Sequence, residues 1–388
     1  MVKRRTVLLG GAATAGALVI GWGVMPPRQR LHPADPLPAT PGQAALNGWL
    51  KVGTDNTVTV MMAKSEMGQG THTGLAAILA EELDADWAQV RLEMAPIDDI
   101  YNNLATVVDG LPFHPDNDGS MKAVAGWLTA KTMREVGVMM TGGSSSIKDL
   151  WLPMREAGAH ARAMLIRAAA AQWGVQATEC TANAGWVEHT AGQRATFGEL
   201  AALAAQQPMP GKVTLKEPAQ FKLIGKPLTR IEAPSKLDGT AVFGIDANPP
   251  GLLHACLVMC PTRGGKVARF DAAAAQKLPG VKHVLEVAPY HGGTGGVAVI
   301  ADTPWHAKKA AAAVTVEWDH GPAATLSSET VMARLAQALD QAKGFGYHSA
   351  GDVDAAMQGA ATTITADYRA PYLAHAALEP INCTVQFK

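Results

Sequence analysis

The chain has 388 residues, more than one ordinary domain holds, so two or three domains are expected. Hydrophobic residues make up 48% and charged residues 17%, which is typical of packed domains and excludes a disordered chain. The formal net charge is −1 and no basic stripe stands out, so a nucleic-acid partner is not expected. The cysteines Cys180, Cys256, Cys260 and Cys383 are too scattered to bind an iron–sulfur cluster, and Cys256 and Cys260 are expected in a core.

The N-terminus has the features of an export signal. Arg4 and Arg5 precede an apolar stretch that is rich in glycine and alanine. Adjacent arginines favour the twin-arginine (Tat) route over an ordinary secretory signal or a membrane anchor. We therefore predict a Tat-type signal over residues 1–27 and a periplasmic location, with a membrane tether if the signal is not cleaved. A Pro-rich linker over residues 28–45 follows.

The first folded block is predicted over residues 46–210. Apolar residues alternate in 57–63 and again in 90–94, which predicts two strands. Between them, the apolar residues of 75–83 recur at helical spacing. The pattern is a strand–glycine loop–helix–strand unit, and loops in that position often carry function.

The glycine loop of this unit is the strongest local signal in the chain. It contains Gly68, Gln69 and Gly70, and Thr71 enters the helix. Glycines allow positive φ and a close approach of the backbone to a ligand, and free amides at a helix start favour an anion such as a pyrophosphate. The Gln69 side chain offers an acceptor and two donors to a pterin or nucleobase edge. A tight turn that caps a helix explains the same residues, and the pattern alone leaves both interpretations open.

A second loop precedes a long Ala-rich helix predicted over residues 155–173 and closed by Gly174. The residues between 102 and 131 are rich in Gly, Pro, Asp and Asn, which predicts a long irregular loop before it. Hydroxyls and amides ahead of a helix suggest a phosphate cradle, although a flexible loop has the same composition, and the lysine of a nucleotide-hydrolysing P-loop is missing. The loop residues are Thr141, Gly142, Gly143, Ser144 and Ser145.

Short strands dominate the second half of the chain, in a domain predicted over residues 222–320. Asp302-Thr303-Pro304 predicts a capped helix start, and a further helix is expected over 329–342. The chain ends in an apparent strand, 384–387, from which we expect a truncated frame or a fragment. The strands are predicted at residues 252–259, 281–287, 296–301 and 314–318.

The two glycine loops and the segments that follow resemble a known family. KSEMGQGTHT, LAAILAEELDADWAQVRLE and TGGSSS resemble the cofactor-binding segment of the xanthine dehydrogenase and aldehyde oxidoreductase family, in the segment order of its isoquinoline 1-oxidoreductase branch. The stretch from IGKPLTRIEAPSKLDG to AAAAVTVEW is similar to the small α/β hammerhead domain of that family. Residues 325–388 resemble the start of its main molybdopterin-binding domain. The resemblance thus implies an α+β fold: a mixed α/β molybdopterin-binding segment, a hammerhead domain and the beginning of a further α+β domain.

The resemblance also implies chemistry and partners. Molybdopterin cytosine dinucleotide would be held with its pterin or pyrophosphate at Gly68–Gly70 and its nucleotide at 141–145. The reaction would be hydroxylation of N-heterocycles or oxidation of aldehydes with oxygen from water. The partners would be a small [2Fe–2S] subunit, a cytochrome c as electron acceptor, and the C-terminal half of the large subunit. Because the family's base glutamate and its glycine loop beside the metal have no counterpart here, the alternative is a silent fragment, or half of a split subunit, that supplies binding loops to a partner chain. No catalytic or metal-binding residue is assigned.

Overall fold

A computed structural model describes residues 28–341, 344 and 350–387. The predicted export signal, 1–27, lies outside these residues. The chain divides into two compact units, Met1–Thr240 and Ala241–Lys388. Both units mix helices with small, mainly antiparallel sheets, so the predicted α+β fold class is confirmed.

The first unit contains a four-stranded sheet, and two of its strands, with one helix, form the predicted strand–glycine loop–helix–strand unit. Strand β3 lies between β2 and β4, pairing antiparallel with the former and parallel with the latter. The parallel pair needs a crossover, and helix α1 provides it, directly after the glycine loop. Its elements are β1 (Gln43–Asn47), β2 (Leu50–Gly53), β3 (Val58–Met62), α1 (Thr71–Leu83) and β4 (Val90–Met94).

The region predicted as one irregular loop contains two helices, so that prediction is wrong. Helix α2 (Leu104–Asp109) is capped by the Asn103 side chain, which accepts a hydrogen bond from the Thr106 amide. Helix α3 (Ser120–Val136) follows. The turn-forming residues that suggested a loop are concentrated between these two helices, in 110–119. These turn formers obscured the helix formers on either side of them.

Helix α4 (Ser146–Trp173) ends at Gly174 with φ 68°, as predicted, but begins nine residues before the predicted start. Pro153 lies inside the helix and cannot donate to the carbonyl of Asp149. That carbonyl instead accepts from the Arg30 guanidinium at 3.3 Å, so the break in the hydrogen-bond ladder is compensated from outside.

A small antiparallel sheet completes the first unit. Its strands are β5 (Cys180–Asn183), β6 (Trp186–His189) and β7 (Arg194–Thr196), and α5 (Phe197–Ala204) follows with a Thr196–Glu199 capping box. The next segment, 216–232, packs on α1 in the first unit. The sequence prediction grouped most of it with the second domain, from residue 222. Helix α6 (Ala233–Leu237) closes the unit.

The second unit is built on the predicted strands. An antiparallel sheet has the order β10–β11–β8, and β12 pairs with β9. Strand β9 has no counterpart in the sequence prediction, since charged residues occupy half of its positions and interrupt the apolar pattern. The Thr303 side chain caps α7 and Pro304 is its first residue, which confirms the predicted start. The elements are β8 (His254–Met259), β9 (Lys266–Asp271), β10 (Val281–Val287), β11 (Gly296–Ala301), α7 (Pro304–Ala311) and β12 (Thr315–Asp319).

The C-terminal part of the second unit is largely exposed. Helix α8 (Ser328–Gln341) matches the prediction within one residue at each end, and α9 (Val353–Gln358) was not predicted. The apparent strand at 384–387 is wrong: these residues bond to no neighbouring strand in the described part of the chain. None of the helices in that described part combines the length and apolarity that a bilayer crossing requires.

Candidate functional site

The Gly-Gln-Gly loop lies between β3 and α1, in the shape that its glycines predict. Gly68 has φ 97° and Gly70 has φ 78°, and Gly70 is the residue immediately before α1. Both values are in the left-handed region that favours glycine. An ideal Cβ built on either glycine would meet no atom within 4 Å, so the backbone at both positions faces open space.

The amides of this loop are not free, which corrects the sequence prediction. The Glu66 carboxylate accepts from the amides of Gly68 and Gly70, both at 2.9 Å, and from the amide of His72 at 3.1 Å. The sequence predicted that a phosphate would take these donors. The Glu66 carboxylate takes the place of that phosphate as the anion that accepts from these amides. The assignment of Gly68 and Gly70 to a cofactor stays a prediction.

The Gln69 and His72 side chains also bond within the loop region. Gln69 Oε1 accepts from the Met67 amide at 2.5 Å, and its Nε2 donates to the Ser65 carbonyl at 3.0 Å. The His72 ring nitrogen Nε2 lies 2.8 Å from the Lys64 carbonyl oxygen. His72 is therefore a half-buried side chain whose ring nitrogen has a hydrogen-bond partner within the chain. Gln69 braces the loop in this conformation.

The second loop has one exposed turn and one buried anchor. Gly143 and Ser144 both have positive φ, 63° and 51°, and are exposed. The Ser145 hydroxyl is buried and donates to the Gly142 carbonyl at 2.7 Å. The same hydroxyl oxygen accepts from Asn103 Nδ2 at 2.8 Å. Ser145 is therefore an internal cap of the loop, and Gly143 and Ser144 are its accessible part.

The fold brings the two predicted loops together. The Ser65 amide donates to the Thr141 hydroxyl oxygen at 2.8 Å, and Lys64 Nζ donates to the Met140 carbonyl at 3.2 Å. A groove of about 870 Å³ opens beside this junction, with Ser65, Met67 and Thr141 in its lining. The two loops are far apart along the chain, so this juxtaposition is a finding of the structure.

A buried charge cluster supports the junction, and sequence reasoning missed it. Lys64 Nζ lies 3.1 Å from Asp149 Oδ2, and both side chains are almost fully buried. Arg30 Nη1 lies 3.3 Å from Asp149 Oδ1, which also accepts from the amides of Leu104 and Ala105. Burial lowers the pKa of Lys64, and the neighbouring Asp149 opposes that shift. The detectable signal was a lysine directly after a buried strand.

A second buried cluster lies at the other end of α1. The Glu81 and Glu82 side chains are fully buried, and Glu82 pairs with Arg155 of α4 at 2.7 Å. Burial would raise the pKa of Glu81, but the amides of Leu223 and Ile224, among others, hold it below its usual value. Two adjacent glutamates in an otherwise apolar helix were the signal that sequence reasoning missed.

Metal-ligand side chains do not converge in the described part of the chain: no group of three His, Cys, Asp or Glu residues is placed to hold a metal ion. Cys180 and Cys260 are buried, Cys256 is half-buried and Cys383 is exposed, all as free thiols. Cys256 packs against the core of the second unit, as predicted.

Comparison with known proteins identifies relatives of this chain. The family model of a molybdopterin cofactor-binding domain matches residues 11–107, which include the Gly-Gln-Gly loop. The β subunit of isoquinoline 1-oxidoreductase from Brevundimonas diminuta is 30% identical over 325 residues, covering 74% of this chain and 37% of that protein. The chain is a relative of the molybdopterin-binding large subunits of the xanthine dehydrogenase family.

Two further relatives have different names. A membrane-bound aldehyde dehydrogenase from Gluconacetobacter polyoxogenes, whose name specifies pyrroloquinoline quinone, is 30% identical over 353 residues, 88% of this chain and 41% of that protein. A nicotinate dehydrogenase subunit from Pseudomonas putida is 24% identical over 391 residues, 97% of this chain and 29% of that protein. The chain thus spans about two fifths of the length of the first two relatives.

Among solved structures, the aldehyde oxidoreductase from Desulfovibrio gigas matches 64% of this chain and 24% of its own, with a TM-score of 0.22 and 16% identity. That likeness is too slight to support an argument.

The residues at the junction fit a cofactor in space and in backbone shape. Gly68 and Gly70 leave room where any side chain would project. The groove is lined by Thr141 but not by Gly68, Gly70 or residues 142–145, and its volume is within the range of about 300–1,000 Å³ that is usual for ligand pockets. The fit does not extend to a phosphate on the Gly68 and Gly70 amides, because Glu66 already accepts from them.

Proposed function

We propose that this chain supplies the cofactor-binding loops of a molybdenum hydroxylase large subunit. The observation that carries the proposal is the junction of the two glycine loops through the Ser65–Thr141 hydrogen bond, beside an open groove. The cofactor would be molybdopterin in its cytosine dinucleotide form, and the substrates N-heterocycles or aldehydes. The names of the relatives, an isoquinoline oxidoreductase and an aldehyde dehydrogenase, support that choice of substrates.

The chain's own residues would bind and orient this cofactor. The open backbone at Gly68 and Gly70 would admit the flat pterin. Thr71, the first residue of α1, is buried and would support the loop without touching the pterin. The exposed turn at Gly143 and Ser144 would contact the nucleotide end of the cofactor. Thr141 and Gly142 would lie beside the nucleotide, and the buried Ser145 hydroxyl would stabilise the turn through its bond to the Gly142 carbonyl. When bound, the cofactor supplies oxygen transfer and accepts the electrons, and the protein supplies placement and exclusion of competing reactions.

The proposal extends to partners and location. We propose a small [2Fe–2S] subunit and a cytochrome c as the electron route, and further large-subunit sequence as the source of the catalytic base. Export by the Tat route, suggested by Arg4 and Arg5, would place the protein in the periplasm. Fractionation of producing cells tests this location, and a purely cytoplasmic protein would contradict it.

The decisive experiment is a cofactor analysis of the whole protein, purified from a host that makes the molybdenum cofactor. We expect molybdenum, pterin and a cytosine nucleotide in equal amounts, and a lower content of all three in Gln69→Ala, because Gln69 braces the loop. Pyrroloquinoline quinone in their place would refute the proposal. Unchanged content in Gln69→Ala would remove that residue from the site.

Activity measured on the same preparation separates the two functions. Turnover of an N-heterocycle or an aldehyde would support the hydroxylase. A protein that holds the cofactor but turns over neither substrate class would support the alternative, in which the chain lends binding loops to a partner chain.

A further inference from the structure

A strap formed by residues 216–232 runs along α1 from its C-terminal end to its N-terminal end. Near the C-terminal end, the Lys216 amide donates to the Glu82 carboxylate at 3.1 Å. One position earlier on the helix, the Glu81 carboxylate accepts the Leu223 amide at 2.6 Å. These carboxylates are fully buried, so each would be costly to leave unpaired. The strap is therefore held firmly along the helix.

The strap reaches the Gly-Gln-Gly loop at its other end. The Ile231 amide donates to the Thr73 hydroxyl at 3.0 Å, in the first turn of α1. That hydroxyl lies 3.4 Å from a Glu232 carboxylate oxygen. These contacts bring Arg230, the neighbouring residue of the strap, to the loop.

The Arg230 guanidinium makes three hydrogen bonds, two of which join the strap to the loop. Its Nη2 donates to Glu66 Oε1 at 2.8 Å, and its Nη1 donates to the Gly68 carbonyl at 3.2 Å. Its Nε donates to Glu232 Oε1 within the strap at 2.7 Å, which fixes the plane of the guanidinium. The bonds to the two carboxylates join opposite charges and are of the stronger kind.

The Glu66 carboxylate is the centre to which the loop amides and the strap both bond. Its side chain is only 6% exposed. Burial acts to raise its pKa, but the amides of His72, Gly70 and Gly68, together with Arg230, bring that pKa below its usual value. The carboxylate is therefore ionised at neutral pH, and Arg230 is the cation that pairs with it.

We propose that Arg230 is a positioning residue that holds the Gly-Gln-Gly loop in its positive-φ shape before any cofactor binds. The docked strap is then a condition for retaining the cofactor, and this last step rests on the proposed function. In the competing explanation, the three backbone amides suffice to hold Glu66, and Arg230 is a surface side chain without consequence for the loop.

Hydrogen exchange of the cofactor-free chain distinguishes these explanations. In Arg230→Gln, the amides of Gly68, Gly70 and His72 should exchange about tenfold faster or more, because a charge-assisted bond that closes the loop is lost. The amides in the middle of α1 should keep their wild-type rates. Unchanged exchange at the three loop amides would overturn the proposal.

Two further variants make the test specific. Arg230→Lys should restore part of the protection, since an ammonium can pair with Glu66 but cannot bond Gly68 and Glu232 at the same time. Arg167→Gln is the matched control: Arg167 donates to the Pro208 carbonyl in the same unit, away from the loop. Equal acceleration in Arg167→Gln would mean general loosening of the unit, which also contradicts the proposal.

Cofactor content separates this proposal from the proposed function. In the whole protein, Arg230→Gln should retain several-fold less molybdopterin than wild type. Faster exchange with full retention would overturn the link between strap and cofactor. A wild-type protein without molybdopterin would refute the proposed function, and the exchange rates would still decide whether Arg230 holds the loop.

Discussion

The two units differ in where they keep their charged side chains. In the first unit, Lys64 and Asp149 form an ion pair with 0% and 1% side-chain exposure. In the second, Lys266 and Asp319 lie 3.6 Å apart with 58% and 49% exposure. Every charged side chain that is buried in the described part of the chain belongs to the first unit.

The apolar core is also much larger in the first unit than in the second. The first unit has one continuous core that extends from the sheet through α1 and α4 to the small second sheet. The core of the second unit consists of Ala275, Val299, Ala310 and Ala311 with a few half-buried neighbours. A large core can exclude water from an ion pair, and a small one cannot. An ion pair of the same type should therefore contribute more to the free energy of unfolding in the first unit than in the second.

Removing the buried carboxylate should have the largest effect. Asp149→Ala leaves Lys64 and Arg30 without their shared partner, and we expect the free energy of unfolding of the first unit to fall by about 3–5 kcal/mol. Urea denaturation followed by peptide-resolved hydrogen exchange measures each unit separately. A loss below about 1 kcal/mol would mean that the cluster behaves like a surface pair.

An intermediate effect is expected where α1 and α4 cross. A Cβ on Gly158 would collide with the Leu79 carbonyl and come within 2.9 Å of Glu82 Cβ, so Gly158→Ala should destabilise the first unit by about 1–3 kcal/mol. The control is Gly126→Ala in α3, where the nearest atom is Val108 Cγ1 at 3.5 Å. Helix propensity should make that variant neutral or more stable by up to about 1 kcal/mol. Equal thermal shifts in the two variants would contradict the tight crossing.

The smallest effect is expected at the surface of the second unit. Lys266→Ala removes an exposed ion pair, so the free energy of unfolding should change by about 0–1 kcal/mol. Because salt screens exposed charges, any change should shrink as the ionic strength rises. A larger, salt-independent loss would show that the second unit depends on its charges as the first does.

Much of the fold could be predicted from local patterns. Alternating apolar residues predicted β3 and β4, helical spacing predicted α1, and Thr303-Pro304 predicted the start of α7. The irregular loop over 102–131 was wrong because a short turn-forming segment masked the helices on either side of it. The apparent strand at 384–387 was wrong because β propensity without a pairing partner does not make a strand.

The candidate site was predicted as two glycine loops. Their backbone conformation could be predicted from the sequence, but their hydrogen-bond partners could not. The glycines at 68 and 70 predicted positive φ because glycine, which has no Cβ, adopts that region without steric cost. The acceptor for their amides could not be predicted, since Glu66 competes with any ligand and only its orientation decides the outcome. Ser145 was predicted to contact the ligand, but its hydroxyl is buried and donates to the Gly142 carbonyl within the loop.

The sequence by itself determined local shapes such as β3, α1, the start of α7 and the positive-φ turns, which depend on residues a few positions apart. Only the tertiary structure decided which groups meet, because hydrogen bonds and ion pairs form between whatever the chain folding brings within about 3 Å. Arg230 reaches Glu66 from 164 positions away along the chain. No local pattern of residues records such a contact.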